Sequence, residues 1–215
     1  MNNQSPPKMY SMFDVSNQYD DIWRIDNVLS YPDELIGFIN DLDSVTIPDG
    51  RISKWSEWRA SNDESKLYGL TKTVYSDQFG TVLEDEDLQR KTLYIRNSLR
   101  MAVEMSMDRY FAGRGLDKSS YKFNEENYYV KKWNTGSGMG PHKDEQYSED
   151  NLAFSIVVYL NDNYEGGEIN FPEKGVTIKP RLGSAVIFPS NEMHQVFPVI
   201  SGERYMSPKH MYKIV

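Results

Sequence analysis

Leu152-Ala153-Phe154-Ser155-Ile156-Val157-Val158-Tyr159-Leu160, followed by Asn161-Asp162-Asn163, reads as a strand closed by a turn. Its β-branched and aromatic residues suit a pleated surface, and the Asn/Asp cluster supplies turn chemistry. The same unit recurs on both sides. Tyr128 to Trp133, Glu168 to Phe171, Val176 to Ile178, Ser184 to Phe188, His194 to Val199 and Arg204 to Tyr212 all have strand character. Gly166-Gly167, Lys179-Pro180-Arg181-Leu182-Gly183 and Ser201-Gly202 separate them as turns. No helical pattern interrupts this half, which argues against parallel βαβ winding.

The preceding half differs. Ile22-Trp23-Arg24-Ile25 has the composition of a first strand. Ser30-Tyr31-Pro32-Asp33 reads as a helix start with Ser30 as N-cap, and Leu35, Ile36, Ile39 and Leu42 follow at helical spacing. A longer helix is expected from about Leu88 to Phe111, ending near Gly113 and Gly115, with Ile95, Leu99, Ala102, Val103 and Tyr110 inward. Between them, Trp55, Trp58, Leu67 and Tyr75 suit short strands or a packed loop, and periodicity leaves both open. Residues 1–20 are polar and Pro-punctuated, so an N-terminal arm is expected, followed by one domain over 21–215. Helices followed by a run of antiparallel strands predict a mainly β barrel or sandwich buttressed by N-terminal α-helices.

Composition narrows the function. Zero cysteines among 215 residues exclude disulfides, thiolate zinc, Cys nucleophiles and iron–sulfur clusters. A net charge of −8 argues against nucleic acid as the main partner. Lys131-Lys132 reads as a solvated strand edge. The N-terminus lacks signal-peptide character and no apolar run reaches spanning length, so a soluble, cytoplasmic protein without a membrane partner is expected.

The chemistry lies among the strands. On an extended segment His142 and Asp144 share a face, because side chains alternate. With His194 from a distant strand they supply two imidazoles and one carboxylate, a set associated with non-heme Fe(II) oxygenases. The alternative is an exposed His142/Asp144 pair and a satisfied core His194. Arg204 adds a constraint. Val199-Ile200-Ser201-Gly202-Glu203 suits a hairpin with left-handed Gly202, which puts Arg204 opposite Pro198 on the His194 face. Four strand residues span roughly 13 Å, so an elongated dicarboxylate could bridge metal and guanidinium. His210, six residues later, reads as a surface or structural histidine. Gly136, Gly138 and Gly140 lack the Lys-Ser/Thr pair of a phosphate loop, and a mobile loop over the site is the favoured reading.

Trp133 to Asp144, Tyr159-Leu160-Asn161 with Glu165-Gly166-Gly167-Glu168, and His194 to Pro198 with Gly202-Glu203-Arg204-Tyr205 together resemble the Fe(II)/2-oxoglutarate-dependent dioxygenases of the prolyl 4-hydroxylase type. The resemblance runs from about Tyr128 to the C-terminus. It implies a double-stranded β-helix (jelly-roll) with His142, Asp144 and His194 on Fe(II), and no catalytic side chain beyond that centre. It also implies 2-oxoglutarate held by Arg204, with Trp133 and Tyr129 as further co-substrate contacts, and O2 and ascorbate as reactant and reductant. The expected reaction hydroxylates an unactivated C–H bond and releases succinate and CO2. A prolyl residue in a peptide or protein is the implied target. Alternatives are a free amino acid, another small molecule or a nucleobase, and, in another class, a non-catalytic metal- or ligand-binding barrel. The chain departs from the family pattern at Trp133 and Met139, where many members carry Tyr, and at Arg204, where collagen-type members usually carry Lys.

Overall fold

A computed structural model describes residues 15–19, 21–42, 45–46, 52–53, 55–60, 63–74, 85–123, 128–147 and 151–215. The strands, in chain order, are β1 (Val15–Tyr19), β2 (Ile22–Ile25), β3 (Val45–Thr46), β4 (Ile52–Ser53), β5 (Ser56–Ala60) and β6 (Asp63–Val74). Then come β7 (Tyr121–Phe123), β8 (Tyr128–Trp133), β9 (Met139–His142), β10 (Leu152–Tyr159), β11 (Glu165–Gly166) and β12 (Ile169–Phe171). The last are β13 (Val176–Ile178), β14 (Ala185–Pro189), β15 (His194–Val196), β16 (Val199–Ser201) and β17 (Arg204–Lys213). The helices are α1 (Pro32–Asp41) and α2 (Glu86–Arg114).

The strands form a large antiparallel sheet in the order β1-β2-β14-β10-β17-β8-β6-β5, with β7 against β17, and a smaller one in the order β13-β12-β15-β9. Period-two alternation gives the large sheet two buried faces. On one face Ile25, Val130, Phe154, Ile156, Val158, Ile187 and Tyr205 pack with Leu35 and Ile39 of α1 and Ile95, Leu99 and Val103 of α2. On the other, Trp133, Tyr159, Val186, Phe188 and Met206 meet Ile169, Phe171, Ile178 and Val199 from the smaller sheet and its neighbouring strands. Two facing antiparallel sheets with helices on the outer side make the expected double-stranded β-helix.

Local sequence explains most of the boundaries. The Asp85 side chain accepts from the Asp87 and Leu88 amides at 2.9 and 3.1 Å, and Gly115 closes α2 in the left-handed region at φ 64°. Ser30 is not the cap of α1. The exposed Tyr31 occupies that position with φ 53° and no side-chain cap, because Pro32 disfavours right-handed helix in the residue before it. The polar arm expected over 1–20 is shorter where it can be described: Val15–Tyr19 pairs with β2, and residues 1–14 lie outside the described residues. Tyr75 lies outside them too, while Ser56–Ala60 and Asp63–Val74 decide the open question there for strands. No helix among the described residues is long and apolar enough to cross a membrane.

The expected hairpin around Gly202 does not form. Gly202 is left-handed at φ 81°, but β16 pairs with β11 and β17 crosses to the large sheet between β10 and β8. A three-residue loop permits a hairpin without enforcing one, and β17 gains partners along its length on both sides in the large sheet. The β11–β16 junction depends on Gly166, at φ 76°, where a Cβ would press into the Pro198 carbonyl. Gly166→Ala is therefore expected to cost on the order of 3 kcal/mol, from left-handed strain plus displaced backbone. Thermal or denaturant unfolding measures it, and an unchanged midpoint contradicts the packing described.

Candidate metal centre

Strand register sets two histidines face to face. His142 ends β9 directly opposite His194, which opens β15, and their ring centroids are 4.2 Å apart. Asp144 is not on the strand. It begins a 3-10 turn, Asp144–Tyr147, so a turn rather than pleat alternation returns its carboxylate to the imidazoles. Asp144 Oδ1 lies 3.5 Å from His142 Nε2 and 3.7 Å from His194 Nε2. The three candidate ligand atoms fall within 4.8 Å of one another, which fits an iron site.

The surroundings prepare each group for a metal. His142 Nδ1 donates to the Gly140 carbonyl at 2.8 Å, and His194 Nδ1 to the Glu192 carbonyl at 3.0 Å. These bonds fix the proton on Nδ1 and leave each Nε2 lone pair directed at the centre. Phe188 packs on the His194 ring at 4.6 Å between centroids. Burial pushes the His194 imidazolium pKa below its ordinary value, only partly opposed by Asp144, which favours the neutral ligand form. For Asp144 burial acts upward, but His142, and His194 and His210 in their protonated forms, together with the Ser155 hydroxyl outweigh it. Its pKa lies well below the usual carboxylate range. Asp144 Oδ2 accepts from Ser155 Oγ at 2.5 Å, and Ser155 Oγ lies 3.1 Å from Ser190 Oγ. Ser155→Ala removes that support, so roughly tenfold weaker divalent-metal binding is expected, read by anaerobic metal titration. Unchanged affinity would mean that Ser155 does not orient the carboxylate.

Arg204 is buried on the inner face of β17, opposite Trp133 in β8. Its guanidinium carbon lies 4.7 Å from the Trp133 ring and 5.1 Å from the Tyr159 ring. Two aromatic faces thus hold a planar cation in place. Arg204 Nε and Nη1 and the hydroxyls of Tyr159 and Tyr164 are buried without a hydrogen-bond partner. The guanidinium charge still acts on both hydroxyls, offsetting part of the upward push that burial exerts on each. A cluster of four buried donors around one positive charge has the chemistry of a carboxylate seat. Gly167, left-handed at φ 68°, keeps the seat open: a Cβ there would lie 3.0 Å from Arg204 Cδ and 3.2 Å from the Tyr164 ring.

Other sequence expectations change here. Trp133 is a platform beneath Arg204. Tyr129 is half-buried on the same side of β8, but four residues away, about 13 Å along the strand. Tyr159 and Tyr164, to which sequence reading gave no role, stand at the guanidinium. An inward strand position and the Gly166-Gly167 turn were the available signals for them. The glycine loop is pinned. Gly136 N donates to Val199 O at 2.8 Å, Val199 N to Ser137 O at 2.9 Å, and a Cβ on Gly138 would lie 3.1 Å from Pro198 backbone. Close approach, not motion, accounts for at least Gly138.

Comparison with known proteins agrees with this geometry. Residues 127–212 match the 2OG-Fe(II) oxygenase superfamily. A PKHD-type hydroxylase from Maricaulis maris is 34% identical over 80 residues, 35% of this chain and 36% of that protein. One from Shewanella baltica is 47% identical over 55 residues, 25% of each. The matched segments thus span about a quarter to a third of these relatives. The fold is similar to a viral collagen prolyl hydroxylase of Paramecium bursaria Chlorella virus-1, solved as a 2OG complex. That match has a TM-score of 0.53 and 19% identity, and covers 90% of this chain and 96% of the other. It is also similar to a prolyl hydroxylase of Trichoplax adhaerens solved with a peptide fragment, with a TM-score of 0.55, 16% identity, and coverage of 90% and 84%.

Proposed function

We infer that this chain, a 2OG-Fe(II) oxygenase of prolyl 4-hydroxylase-like type, hydroxylates an unactivated C–H bond with 2-oxoglutarate and O2 as co-reactants. The observation that carries the reading is the pairing of a His142/Asp144/His194 cluster with a buried guanidinium whose Nε and Nη1 lack a hydrogen-bond partner of good geometry. A metal-binding barrel without turnover needs the first and has no use for the second.

In this reading His142, Asp144 and His194 hold Fe(II), and Asp144 offsets one of its charges. Bound Fe(II) supplies the redox chemistry that divides O2 between succinate and the hydroxylated product, with CO2 released. Arg204 fixes the far carboxylate of 2-oxoglutarate, and Tyr159 and Tyr164 donate to it. Ser155 and the Gly140 and Glu192 carbonyls hold the ligands in orientation. Phe171 and Phe188 keep water from the His194 side.

A peptidyl proline is the leading target, supported by relatives named as PKHD-type hydroxylases and by neighbours named as prolyl hydroxylases. Ascorbate is the expected reductant, and the zero-cysteine composition suits a reducing cytoplasm. The test combines purified protein, Fe(II), ascorbate and 2-oxoglutarate with a panel of prolyl peptides, free amino acids and nucleobases, read by mass spectrometry for a gain of one oxygen. Succinate release, with oxygen gained on a prolyl peptide, is expected. Oxygen gained only on free amino acids or bases replaces the target class. Absence of both succinate and an anaerobic Fe(II)/2-oxoglutarate charge-transfer band overturns the enzyme reading.

A further inference from the structure

Arg204 is the first residue of β17, where a strand has the least hold on its neighbours. On one side it has a register partner, Trp133 of β8. On the other side β10 has already ended, because its pairing with β17 runs out at Tyr159, opposite Met206. One further main-chain bond follows, from Leu160 N to Tyr205 O at 3.0 Å, before the chain turns away.

A side chain continues the ladder from there. Asn161 Oδ1 accepts from the Tyr205 amide at 2.8 Å, and Asn161 Nδ2 donates to the Glu203 carbonyl at 2.7 Å. Those two groups belong to the two peptide units that flank the Arg204 Cα. One carboxamide therefore brackets Arg204 from the side that β10 has left. Nδ2 also donates to Asn163 Oδ1 at 2.6 Å, which holds the amide in that orientation. Asn161 is itself buried, and without it the Tyr205 amide becomes a buried donor lacking an acceptor.

The same short segment supplies other walls of the seat. Tyr159, two residues before Asn161, has its ring 5.1 Å from the guanidinium carbon, and the hydroxyl of Tyr164, three residues after it, feels the same charge. The guanidinium lies against the Trp133 and Tyr159 rings, while its Nε and Nη1 lack a hydrogen-bond partner of good geometry. Ring faces fix the height of a cation and leave its position across the ring soft. The backbone at residue 204 then decides where the fork points, and Asn161 holds that backbone.

We propose that Asn161 is a positioning residue for the co-substrate. By bracketing Arg204 it sets the distance from the guanidinium to the His142/Asp144/His194 cluster, and with it the length of the 2-oxo diacid that the site accepts. The inference rests on the dioxygenase reading. A seat shifted by on the order of 1 Å loses its fit to 2-oxoglutarate, whereas a longer diacid loses less.

The test is an anaerobic charge-transfer titration of the full chain loaded with Fe(II), using 2-oxoglutarate and 2-oxoadipate, which is one carbon longer and carries the same charge. Wild type is expected to prefer 2-oxoglutarate. Asn161→Ala is expected to weaken 2-oxoglutarate roughly tenfold, the scale of losing one or two hydrogen bonds. It weakens 2-oxoadipate less and leaves Fe(II) affinity as in wild type. Where turnover occurs, the loss falls on KM for 2-oxoglutarate and not on kcat. Asn161→Asp keeps the size of the side chain and the acceptor for Tyr205 but loses both donated bonds, so it guards against a folding defect in the Ala variant. Its length preference is expected to narrow too, and the ratio of two equally charged diacids cancels the effect of the added carboxylate. No preference in wild type, a preference equal to wild type in a folded variant, a parallel loss of Fe(II) affinity, or failure of both variants to fold overturns the assignment. Failure of the dioxygenase reading looks different: wild type forms no succinate and no charge-transfer band with either diacid.

Discussion

Arg204→Met is expected to weaken 2-oxoglutarate binding roughly 100- to 1,000-fold, the scale of losing one partner of a buried charge pair. The loss should be confined to the co-substrate, because Arg204 is no member of the metal cluster. Fe(II) binding is expected to persist, and the anaerobic charge-transfer titration with 2-oxoglutarate is the measurement. A second consequence has the opposite sign. Without ligand, Arg204 is a 1% exposed cation with Nε and Nη1 unsatisfied, which is costly despite the Trp133 and Tyr159 rings. Met fills a similar volume without that cost. The ligand-free variant is therefore expected to melt above wild type by a few degrees, while the stabilisation that 2-oxoglutarate confers on wild type disappears. A variant that binds 2-oxoglutarate normally would show that the seat lies elsewhere.

Removing one of the proposed metal ligands should act on the other half of the site. His194→Ala and His142→Ala are each expected to abolish stoichiometric Fe(II) binding, because two remaining protein ligands do not make a closed facial set. Succinate formation should fall to background with it. His194 is the more informative of the two, since Phe171 and Phe188 surround it and truncation also opens space in the inner core. Its folding cost should be about 1–3 kcal/mol, so the variant remains folded and the metal measurement stays interpretable. Iron affinity equal to wild type in both variants would show that the cluster is not the ligand set.

Much of this was legible beforehand, and the reasons are local. Strand character in Leu152–Tyr159 and the turn glycines come from side-chain branching and left-handed backbone, both properties of short segments. The cap at Gly115 and the inward stripe of α2 are equally local. Ser30 failed because Pro32 acts on its nearest neighbour, a stronger constraint than a cap two residues upstream.

The candidate site divides along the same line. His142, Asp144, His194 and Arg204 stood out in sequence by residue type and order; the structure gathers the first three into one cluster and turns Arg204 toward the inner core between the two sheets. The route by which they meet was misread. Asp144 returns through a turn, and Arg204 arrives on the large sheet instead of across a hairpin from His194. Partner choice among strands depends on contacts far apart in sequence, which a three-residue loop cannot dictate.

The sequence alone therefore determined the fold class and singled out His142, Asp144, His194 and Arg204 as the proposed metal ligands and dicarboxylate cation, because each rests on side-chain chemistry or local backbone preference. Only the tertiary structure decided that Tyr159 and Tyr164 share the Arg204 seat, that Ser155 holds Asp144, that Asn161 brackets Arg204, and that Lys131 lies between β6 and β17 and not at a solvated edge. Those facts follow from which strand lies beside which, and a two-sided central sheet makes its inner and outer side chains indistinguishable until both of its covers are known.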